Sequence, residues 1–480
     1  MSVLTDVRAY MDAHQKELIR DLSALVEIPS VRGEAQEGAP YGKECRRALD
    51  AALALFEKRG ATVRSAGGHY GIATVGGTNG STENAIGIFT HTDVVPASEA
   101  DWVKTKPFVP YLEGDSLYGR GAEDNKAGVI SALYALEALR ATGHALSHPV
   151  QVFFGADEEC GMGDLQRWRE NGEKMPAVSF VPDAEYPVSV GEKGICHFYV
   201  HTPKTKDILS VSGGLAFNVV LDRATVRLAA NETLLFEIFD RIRDREGYHL
   251  TSGETGIVLE TEGIPAHASM PEKSKNAFRM ALSVLVQCPS LDAGDKAICR
   301  TLLSLLQDDY GTGLGIAHND THFGRLTATN GIITMSEKGG IKMSFDVRYG
   351  AEISAEALEH RVQATVTSLG MGYTLDIVSN DEGFHLSDNL PYTAELVRLC
   401  SEAKGAPCET YVMGGGTYAR HLTNAYSIGT SVDYKGEKPN LPEGHGSVHA
   451  PDEYVSVAGL CEGASLFAAM LSACDALMND

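Results

Sequence analysis

The sequence has few basic residues for its length, and this shortage narrows the choice of partners. It contains 41 lysine and arginine residues against 64 aspartate and glutamate residues, so its formal net charge is −23 at pH 7. A surface this acidic repels the phosphates of nucleic acids and of anionic lipids. We therefore expect the chain to bind neither nucleic acid nor a membrane.

Signals for export and for membrane insertion are also missing. The N-terminal segment lacks the positive start and apolar core of a signal peptide, and its Leu18, Leu22 and Leu25 instead recur at helical spacing before Pro29. No apolar run approaches the roughly 20 residues that cross a bilayer. The nine cysteines include no CxxC pair, which is typical of reduced thiols. These absences predict a cytoplasmic protein.

Two kinds of nucleophilic catalysis lack their usual signals. No GxSxG segment marks the strained turn that carries the nucleophile of a serine hydrolase. Cys160, beside Glu159, is a candidate nucleophile, but nothing in the sequence marks a base for it. The chemistry is therefore expected to come from other residue types.

What the N-terminal part of the chain does contain is an alternation of strands and helices. The apolar runs "NAIGIFTHTDVV", "PVQVFFGAD" and "AVSFVPDAE" each end in polar residues, and the helical pattern "KAGVISALYALEALRATG" separates the first two. Such an order predicts an α/β fold with a mixed, mostly parallel sheet, and ligands collect at the carboxyl ends of its strands.

The pattern changes near residue 193. From there, runs such as "ICHFYVHT" and "GIITMSEKGGIKMSFDVRYG" alternate in the manner of half-exposed antiparallel strands. The alternation of helices and strands that is typical of an α/β domain returns after residue 385. We therefore predict a catalytic domain made of residues 1–192 and 386–480, with an inserted α+β domain over 193–385 that is long enough for two similar halves.

Acidic residues cluster at one strand end in "QVFFGADEECGMGD". Asp157, Glu158 and Glu159 are adjacent there, and like charges this close are unfavourable unless water, a shared proton or a metal neutralises them. Four other strand-to-loop junctions carry histidine or acidic residues: "HTD" at 91–93, "GRGAEDNKAG" at 119–128, "PDAEYP" at 182–187 and "GHGSVHAPDEY" at 444–454. Each alone has an ordinary structural explanation, but together they favour a metal site.

This ordered set resembles the dinuclear zinc peptidases, a family that includes aminoacylases, carboxypeptidases and dipeptidases. Within the family, it is most similar to the bacterial PepV-like, carnosinase-type (Xaa-His) dipeptidases. The resemblance runs along nearly the whole chain, through "HTDVVP", "LYGRGAEDNKAG", "DEECGMGD", "VPDAEYPVSVGEKG", "GIPAHASMPEKSKNA", "MSFDVR", "GGGTYAR" and "GSVHAPDE". It implies a catalytic core with an inserted lid domain.

The resemblance also implies a set of metal ligands. His91 and Asp183 would hold one divalent ion, Glu159 and His449 the other, and Asp124 would bridge the two. Oxygen and imidazole ligands suit Zn²⁺, with Mn²⁺ or Co²⁺ as alternatives. Paired ions of this kind can ionise a water molecule and polarise a scissile carbonyl.

Other roles follow from the same resemblance. Glu158 would be the general base and Asp93 would orient His91. The family usually has a second aspartate after the bridging one and then Gly-Pro. Here Asn125 and Ala127-Gly128 stand in those places, so the bridge rests on Asp124 alone, with Glu123 as the less favoured substitute.

Most of the remaining candidate residues lie in the inserted domain. His267 would donate a hydrogen bond to the developing oxyanion, and Arg348 would pair with a substrate carboxylate. Further substrate contacts would come from Asn218, Gly415, Gly416 and Thr417.

The resemblance thus implies hydrolysis of dipeptides with a free carboxylate. An N-acyl amino acid deacylase, a carboxypeptidase-like exopeptidase and a non-catalytic metal-binding protein remain alternatives. It also implies a monomer, since dimeric relatives carry a smaller lid and complete the active site from the partner.

Overall fold

The computed structural model describes residues 2–76, 84–387, 390–432 and 438–479. In this part of the chain the α-helices are α1 (Val3–Val26), α2 (Lys43–Lys58), α3 (Lys126–Ala141), α4 (Gly163–Glu170), α5 (Glu232–Ile242), α6 (Ala277–Leu285), α7 (Ala293–Leu305), α8 (Ala355–Ser368), α9 (Pro391–Lys404) and α10 (Val457–Asn479). α1 has the predicted amphipathic form, because Leu18, Leu22 and Leu25 are buried on one face.

The strands of the same residues are β1 (Thr62–Ser65), β2 (Tyr70–Val75), β3 (Ile86–His91), β4 (Tyr111–Glu113), β5 (Ser116–Tyr118), β6 (Val150–Gly155), β7 (Val178–Ala184), β8 (Ser189–Glu192), β9 (Gly194–Lys204), β10 (Ile208–Ser212), β11 (Arg223–Leu228), β12 (Tyr248–Gly253), β13 (Gly256–Glu262), β14 (Asn319–Asp320), β15 (Gly324–Arg325), β16 (Thr327–Thr329), β17 (Ile333–Met335), β18 (Gly340–Tyr349), β19 (Thr374–Asp381), β20 (Phe384–His385), β21 (Tyr411–Met413), β22 (Ala425–Gly429) and β23 (Tyr454–Ser456).

The chain forms two compact units. The first comprises Met1–Gly191, Leu386–Tyr411 and Thr417–Asp480, and the second comprises Glu192–His385 and Val412–Gly416. The sequence pattern assigned residues 412–416 to the catalytic domain. They group with the second unit because Lys193 N donates to Met413 O at 2.9 Å and Arg348 Nη1 donates to Gly414 O at 3.2 Å.

A mixed sheet forms the centre of the first unit. Its strands run in the order β1-β2-β6-β3-β7-β22-β8. The pairs β6-β3, β3-β7 and β7-β22 are parallel, and the flanking pairs are antiparallel. β3 is buried along its whole length, as expected for a parallel strand that is covered on both faces. The predicted α/β class with a mixed sheet is confirmed, and the parallel pairs occupy its centre.

The parallel strands bring the predicted site residues to one edge of this sheet. His91 is the last residue of β3 and lies in register with Gly155, the last residue of β6. Asp183 is the penultimate residue of the neighbouring strand β7. The carboxyl ends of parallel strands meet at the same edge, which is where α/β sheets bind ligands.

The C-terminal helix α10 belongs to the core of the first unit. Among the described residues it is the one helix long and apolar enough to cross a membrane, although Glu462 and Asp475 interrupt its apolar runs. In this helix 78% of the most apolar window is buried inside the protein. It packs against α1, α3 and α9, as a core helix does.

The second unit is built from antiparallel strands and helices. Its two larger sheets have the orders β10-β11-β13-β12 and β16-β18-β9-β19, the latter with β17 beside β18, and β14 pairs with β15 in a separate two-stranded sheet. Residues of β9 alternate between buried and half-buried, which is the predicted half-exposed pattern. A hydrophobic core contains side chains from both sheets, including Phe198, Val226, Leu259 and Phe345.

Candidate metal centre

The centre of the candidate site is Asp124, which lies just before the N-terminus of α3. Its Oδ1 is 3.1 Å from Nε2 of His91, and its Oδ2 is 2.9 Å from Nε2 of His449. Asp183 Oδ2 lies 3.6 Å from the same nitrogen of His91, whereas Glu159 Oε2 lies 3.2 Å from that of His449. Each histidine therefore faces one oxygen of Asp124 and one further carboxylate, an arrangement that suits two cations sharing one ligand.

A single turn brings both adjacent glutamates to this cluster. Residues Glu158–Cys160 form a 3₁₀ turn after β6, so the strict alternation of a strand no longer separates the two side chains. The carboxylate of Asp93 accepts the backbone N–H groups of Glu158 at 3.2 Å and Glu159 at 3.1 Å. A carboxyl oxygen of Glu158 lies with atoms of His91 and Asp183 in a group whose members are all within 4.8 Å of one another.

Asp93 lies beside His91, the residue that the resemblance expects it to orient. Nδ1 of His91 is 3.0 Å from the backbone oxygen of Asp93, while the nearer carboxylate oxygen lies at 3.5 Å. Asp93 therefore fixes the imidazole chiefly through its main chain, and its side chain holds the turn at Glu158–Cys160. Holding a ligating imidazole through its second nitrogen is a common feature of metal sites.

The third acidic residue of the run, Asp157, points elsewhere. It forms a salt bridge with Arg32 and accepts the backbone N–H of Gly163 at 3.2 Å. Burial raises the pKa of Asp157 to about 7. Asp157 is thus a structural residue of the loop, which reduces the three crowded charges of the sequence to two at the site.

Buried polar side chains that the sequence analysis did not name support the strand end. Asp164 accepts the backbone N–H groups of Ala156 at 2.7 Å and Asp157 at 2.8 Å, and the hydroxyl of Tyr418 donates to it at 2.6 Å. These groups press against Gly155, where a Cβ atom would lie 1.8 Å from the Tyr418 hydroxyl. The glycine that ends β6 is required by this close approach.

Asn125, which replaces the usual aspartate, also has a positioning role. Its amide donates to Pro182 O and to Asp183 Oδ1, the latter at 2.9 Å, which leaves Asp183 Oδ2 facing His91. The peptide between Asp124 and Asn125 is cis. A Cβ atom on Gly128 would lie 2.5 Å from Asn125 Oδ1, so the glycine makes room for the amide.

Glu453 and Arg120 join the Asp124 loop to the histidine loop. The buried carboxylate of Glu453 accepts the backbone N–H of Asp124 at 3.1 Å and pairs with Arg120 Nη1 at 2.5 Å. Arg120 Nη2 also donates to the backbone oxygen of His449 at 3.0 Å. The other histidine of that loop, His445, instead pairs with Asp452 at 2.6 Å.

The cluster contains several ionisable side chains that lie close together and are buried from water, and this shifts their pKa values. Burial raises the pKa of Glu159 to about 7 and that of Glu158 well above its ordinary value. Burial also raises the pKa of Asp124, but the adjacent imidazoles of His449 and His91 outweigh it and bring the pKa below its ordinary value. The pKa of His449 rises to about 11, chiefly through its hydrogen bond to Asp124. Without a cation, protons would have to neutralise this cluster.

Buried atoms without partners show that the residues fit a metal. Among the described residues, His91 Nε2, Glu158 Oε1 and Glu159 Oε1 are buried and make no hydrogen bond. Such atoms cost free energy unless a ligand or an ion satisfies them. Imidazole nitrogen and carboxylate oxygen are the donors that Zn²⁺ and similar divalent ions prefer.

The second unit contains the other predicted residues. Nδ1 of His267 accepts the backbone N–H of Ser269 at 3.2 Å and lies 2.7 Å from its hydroxyl. A neutral imidazole that accepts at Nδ1 carries its proton on Nε2. Asn218 is adjacent to this loop, because its backbone oxygen accepts the N–H of Ala268 at 2.9 Å.

Arg348 and the glycine segment adjoin the His267 loop in the same unit. Arg348 Nη1 donates to Gly414 O, and a Cβ atom on Gly414 would lie 2.9 Å from Cβ of Ser269. Gly415 and Gly416 follow in the second unit, whereas Thr417 belongs to the first. The hydroxyl of Thr417 accepts the backbone N–H of Ala419 at 3.1 Å and caps the turn that follows it.

Comparison with known proteins identifies the family. Residues 87–473 match peptidase family M20/M25/M40. The chain is 27% identical over 466 residues to YtjP of Bacillus subtilis (strain 168), a protein named as a candidate dipeptidase, with 95% of this chain and 96% of that protein covered. A similarly named protein of Staphylococcus saprophyticus is 27% identical over 467 residues, with 94% and 95% covered.

Solved structures share the fold. Human carnosine dipeptidase 1 superposes with a TM-score of 0.61 at 17% identity and covers 99% of both chains. Aminoacylhistidine dipeptidase from Vibrio alginolyticus has a TM-score of 0.53 at 14% identity, with 95% of this chain and 96% of that one covered. The chain belongs to peptidase family M20/M25/M40, which confirms the resemblance at the level of the family. It is a metallopeptidase.

Removing the metal is expected to destabilise the protein near neutral pH. A carboxyl group whose pKa is raised on folding stabilises the fold fully below its ordinary pKa and loses that contribution as the pH rises through the folded value. For Glu159 this stabilising contribution is lost as the pH rises from 4.5 to about 7. The pKa of His449 is also raised, so its contribution is lost in the same direction, between pH 6.5 and about 11. The low pKa of Asp124 acts oppositely, but only in more acidic solution. Chelated protein should therefore melt at a higher temperature at pH 6 than at pH 8.

Calorimetry of chelated and metal-loaded protein at both pH values tests this expectation. The loaded protein is the control, since bound cations compensate the carboxylates at either pH. An unchanged melting temperature after chelation, with metal loss confirmed by elemental analysis, would argue against a preformed cluster of charges.

Proposed function

We propose that the protein hydrolyses dipeptides that have a free C-terminal carboxylate, using two divalent metal ions. The observation that carries the proposal is the position of Asp124 between His91 and His449, with its two oxygens directed at different imidazoles. In this assignment His91, Asp183 and Asp124 would hold one ion, and His449, Glu159 and Asp124 would hold the other. Zn²⁺ fits these donors, and Mn²⁺ and Co²⁺ fit them as well.

Glu158 is the general base of the proposed reaction. When bound, the two ions supply Lewis-acid chemistry, which acidifies the attacking water and polarises the scissile carbonyl. Glu158 takes the proton of that water and passes it to the leaving nitrogen. Burial raises the pKa of Glu158 well above its ordinary value, and a higher pKa makes a carboxylate a stronger base. The turn at Glu158–Cys160 leaves Glu159 as the ligand.

Arg348 provides the proposed selectivity for a free carboxylate. Arg348 is 5% exposed, and its guanidinium is fixed by its bonds to Asp346 and Gly414. A guanidinium fork matches a carboxylate in geometry and charge. Asn218, Gly415, Gly416 and Thr417 complete the proposed set of substrate contacts. The dipeptidase names of the relatives from Bacillus subtilis and Staphylococcus saprophyticus agree with this substrate class.

Substrate comparison tests the proposal. Metal-loaded protein is given an unmodified dipeptide, its C-terminal amide, the corresponding tripeptide and an N-acetyl amino acid. We expect the dipeptide to be cleaved fastest and the amide to be a poor substrate, because the amide cannot pair with Arg348. Preferred cleavage of the N-acetyl amino acid would indicate a deacylase. Cleavage of the amide and the tripeptide as fast as the unmodified dipeptide would refute the proposed pairing of Arg348 with the carboxylate of a dipeptide.

His267 is proposed to donate a hydrogen bond from Nε2 to the oxyanion that develops at the scissile carbonyl. Replacing His267 by alanine should lower kcat by about 10²–10³-fold, the effect of losing one such donor, roughly 3–4 kcal/mol. Metal content should not change. His249→Ala, at an exposed histidine of β12, serves as the control and should behave like the parent protein. A kcat within a few-fold of the parent would exclude His267 from this role.

We propose that the second unit acts as the lid, that the protein works as a monomer and that it functions in the cytoplasm. The monomer is testable, since activity per chain should not change on dilution.

A further inference from the structure

A buried carboxylate lies directly behind Arg348. Asp346 and Arg348 are two residues apart on β18, so their side chains point to the same face of the sheet. Asp346 Oδ1 accepts Nε of Arg348 at 2.7 Å, and Oδ2 accepts Nη2 at 2.9 Å. Asp346 is 0% exposed, so water does not compete for these bonds. This side-on pairing fixes the plane of the guanidinium.

The bonds that Arg348 makes leave part of its fork available. Nη1 donates to Gly414 O, and Nε and Nη2 donate to Asp346. Each terminal nitrogen of a guanidinium carries two hydrogens. Among the described residues, one N–H on Nη1 and one on Nη2 therefore remain for a ligand, and the two terminal nitrogens of a guanidinium can bind a carboxylate end-on.

His197 holds Asp346 from the neighbouring strand. It lies directly opposite Asp346 in the register of β9 and β18, and its Nε2 is 2.9 Å from Asp346 Oδ2. Burial raises the pKa of Asp346, but hydrogen bonds from His197 and Arg348 outweigh it and lower the pKa to about 2, so the carboxylate is ionised at neutral pH. The imidazole also stacks on Phe217, with ring centroids 4.6 Å apart.

Phe217 extends this network to another proposed substrate residue. It immediately precedes Asn218, and the backbone oxygen of Asn218 accepts the N–H of Ala268, next to His267. A row of contacts thus begins at Arg348 and ends at the segment that carries Asn218. It passes through Asp346, His197 and Phe217. All of these residues belong to the second unit.

We propose that Asp346 and His197 are positioning residues that aim the free N–H pair of Arg348 and so determine the preference for substrates with a free carboxylate. The inference rests on the proposed function, in which Arg348 binds that carboxylate. Neither residue touches the substrate in this scheme. Asp346 can act because it accepts two N–H groups of the guanidinium and one from the imidazole at once, which a neutral side chain of the same shape cannot do.

Asp346→Asn is the variant that tests the proposal. The amide offers a single acceptor oxygen and would place its own N–H₂ against a donor of Arg348, so the guanidinium must turn. The measured quantity is the kcat/KM for a dipeptide divided by that for its C-terminal amide. We expect this ratio to fall by about tenfold or more, since hydrogen bonds to charged groups are strong, mainly through a higher KM for the dipeptide. The rate with the amide should stay near that of the parent.

His197→Phe is the second variant. It keeps a ring that can stack on Phe217 and removes the N–H that Asp346 accepts, together with a longer contact of 3.5 Å between Nδ1 and the Ser379 hydroxyl. The ratio should fall by about three- to tenfold, the effect of one hydrogen bond. Asp376→Asn, at an exposed carboxylate of the adjacent strand β19, is the matched control and should leave the ratio unchanged.

The outcomes separate this inference from the proposed function. If the parent protein cleaves the dipeptide and its amide equally, the proposed function fails. If the parent prefers the dipeptide and both substrates lose equally in Asp346→Asn, the residue is merely structural and the inference fails. If Asp346→Asn does not fold, His197→Phe decides, and an unchanged ratio in that variant overturns the inference.

Discussion

Replacing Glu158 by glutamine is expected to remove nearly all turnover while both metal ions stay bound. The glutamine keeps the shape of the side chain and its place on the turn, but it cannot take a proton from water. Loss of a general base lowers rates by roughly 10²–10⁴-fold. The substitution leaves all five proposed ligands in place, namely His91, Asp124, Asp183, Glu159 and His449.

The neighbouring residue provides the matched comparison. Glu159→Gln changes the same chemical group one position along the same turn, and both backbone N–H groups donate to Asp93. It should lose bound metal as well as activity, since it removes a ligand. Steady-state kcat and metal content are measured for both variants. Lower metal content in Glu158→Gln than in Glu159→Gln would reverse the two roles.

Replacing Asp124 by alanine is expected to abolish activity together with metal binding. One side chain serves both ions in the proposed centre, so its loss removes a ligand from each and leaves His91 and His449 without their shared partner. A variant at a single-ion ligand, such as Asp183→Ala, should lose less metal. Elemental analysis of the purified variants measures this order.

Glu123 provides the control for Asp124. It is the adjacent carboxylate, and burial raises its pKa to about 7. Glu123→Gln should keep both ions and most of the activity. Two full equivalents of metal in Asp124→Ala, or their loss in Glu123→Gln, would show that the bridge is assigned to the wrong residue.

Much of this geometry could be expected from local sequence patterns. The apolar runs that end at His91, Gly155 and Asp183 predict parallel strands, and parallel strands deliver their ends to one edge. That reasoning brings together residues from distant parts of the chain without any knowledge of their contacts. Hydrophobic periodicity likewise indicates the antiparallel character of β9 and β18.

The supporting residues could not be found in the same way. Glu453 acts on the loop of Asp124 across 329 positions of the chain, and Tyr418 reaches Asp164 across 254. Such contacts form between elements that are distant in the sequence and meet only in the fold. Hydrophobic periodicity and motif spacing give information only on residues that are close together along the chain. The sequence offers only a weaker indication of these two residues. Glu453 lies in the motif "GSVHAPDE", and Tyr418 lies in the motif "GGGTYAR".

Two local details show the same limit. The three adjacent carboxylates in "DEEC" cannot be distinguished in the sequence. In the structure Asp157 pairs with Arg32, whereas the two glutamates that follow it face the candidate metal site. The replacement of aspartate by Asn125 appears in the sequence as a loss. Its amide in fact orients Asp183, which becomes clear only when Pro182 and Asp183 lie beside it.

The central claim is that the cluster around Asp124 holds two catalytic metal ions. Titration of metal-free protein with Zn²⁺ or Mn²⁺, while dipeptide hydrolysis and bound metal are followed together, tests it most directly. We predict no activity without metal and full activity when two ions are bound per chain. Full activity at one ion per chain, or in the absence of metal, would contradict the claim.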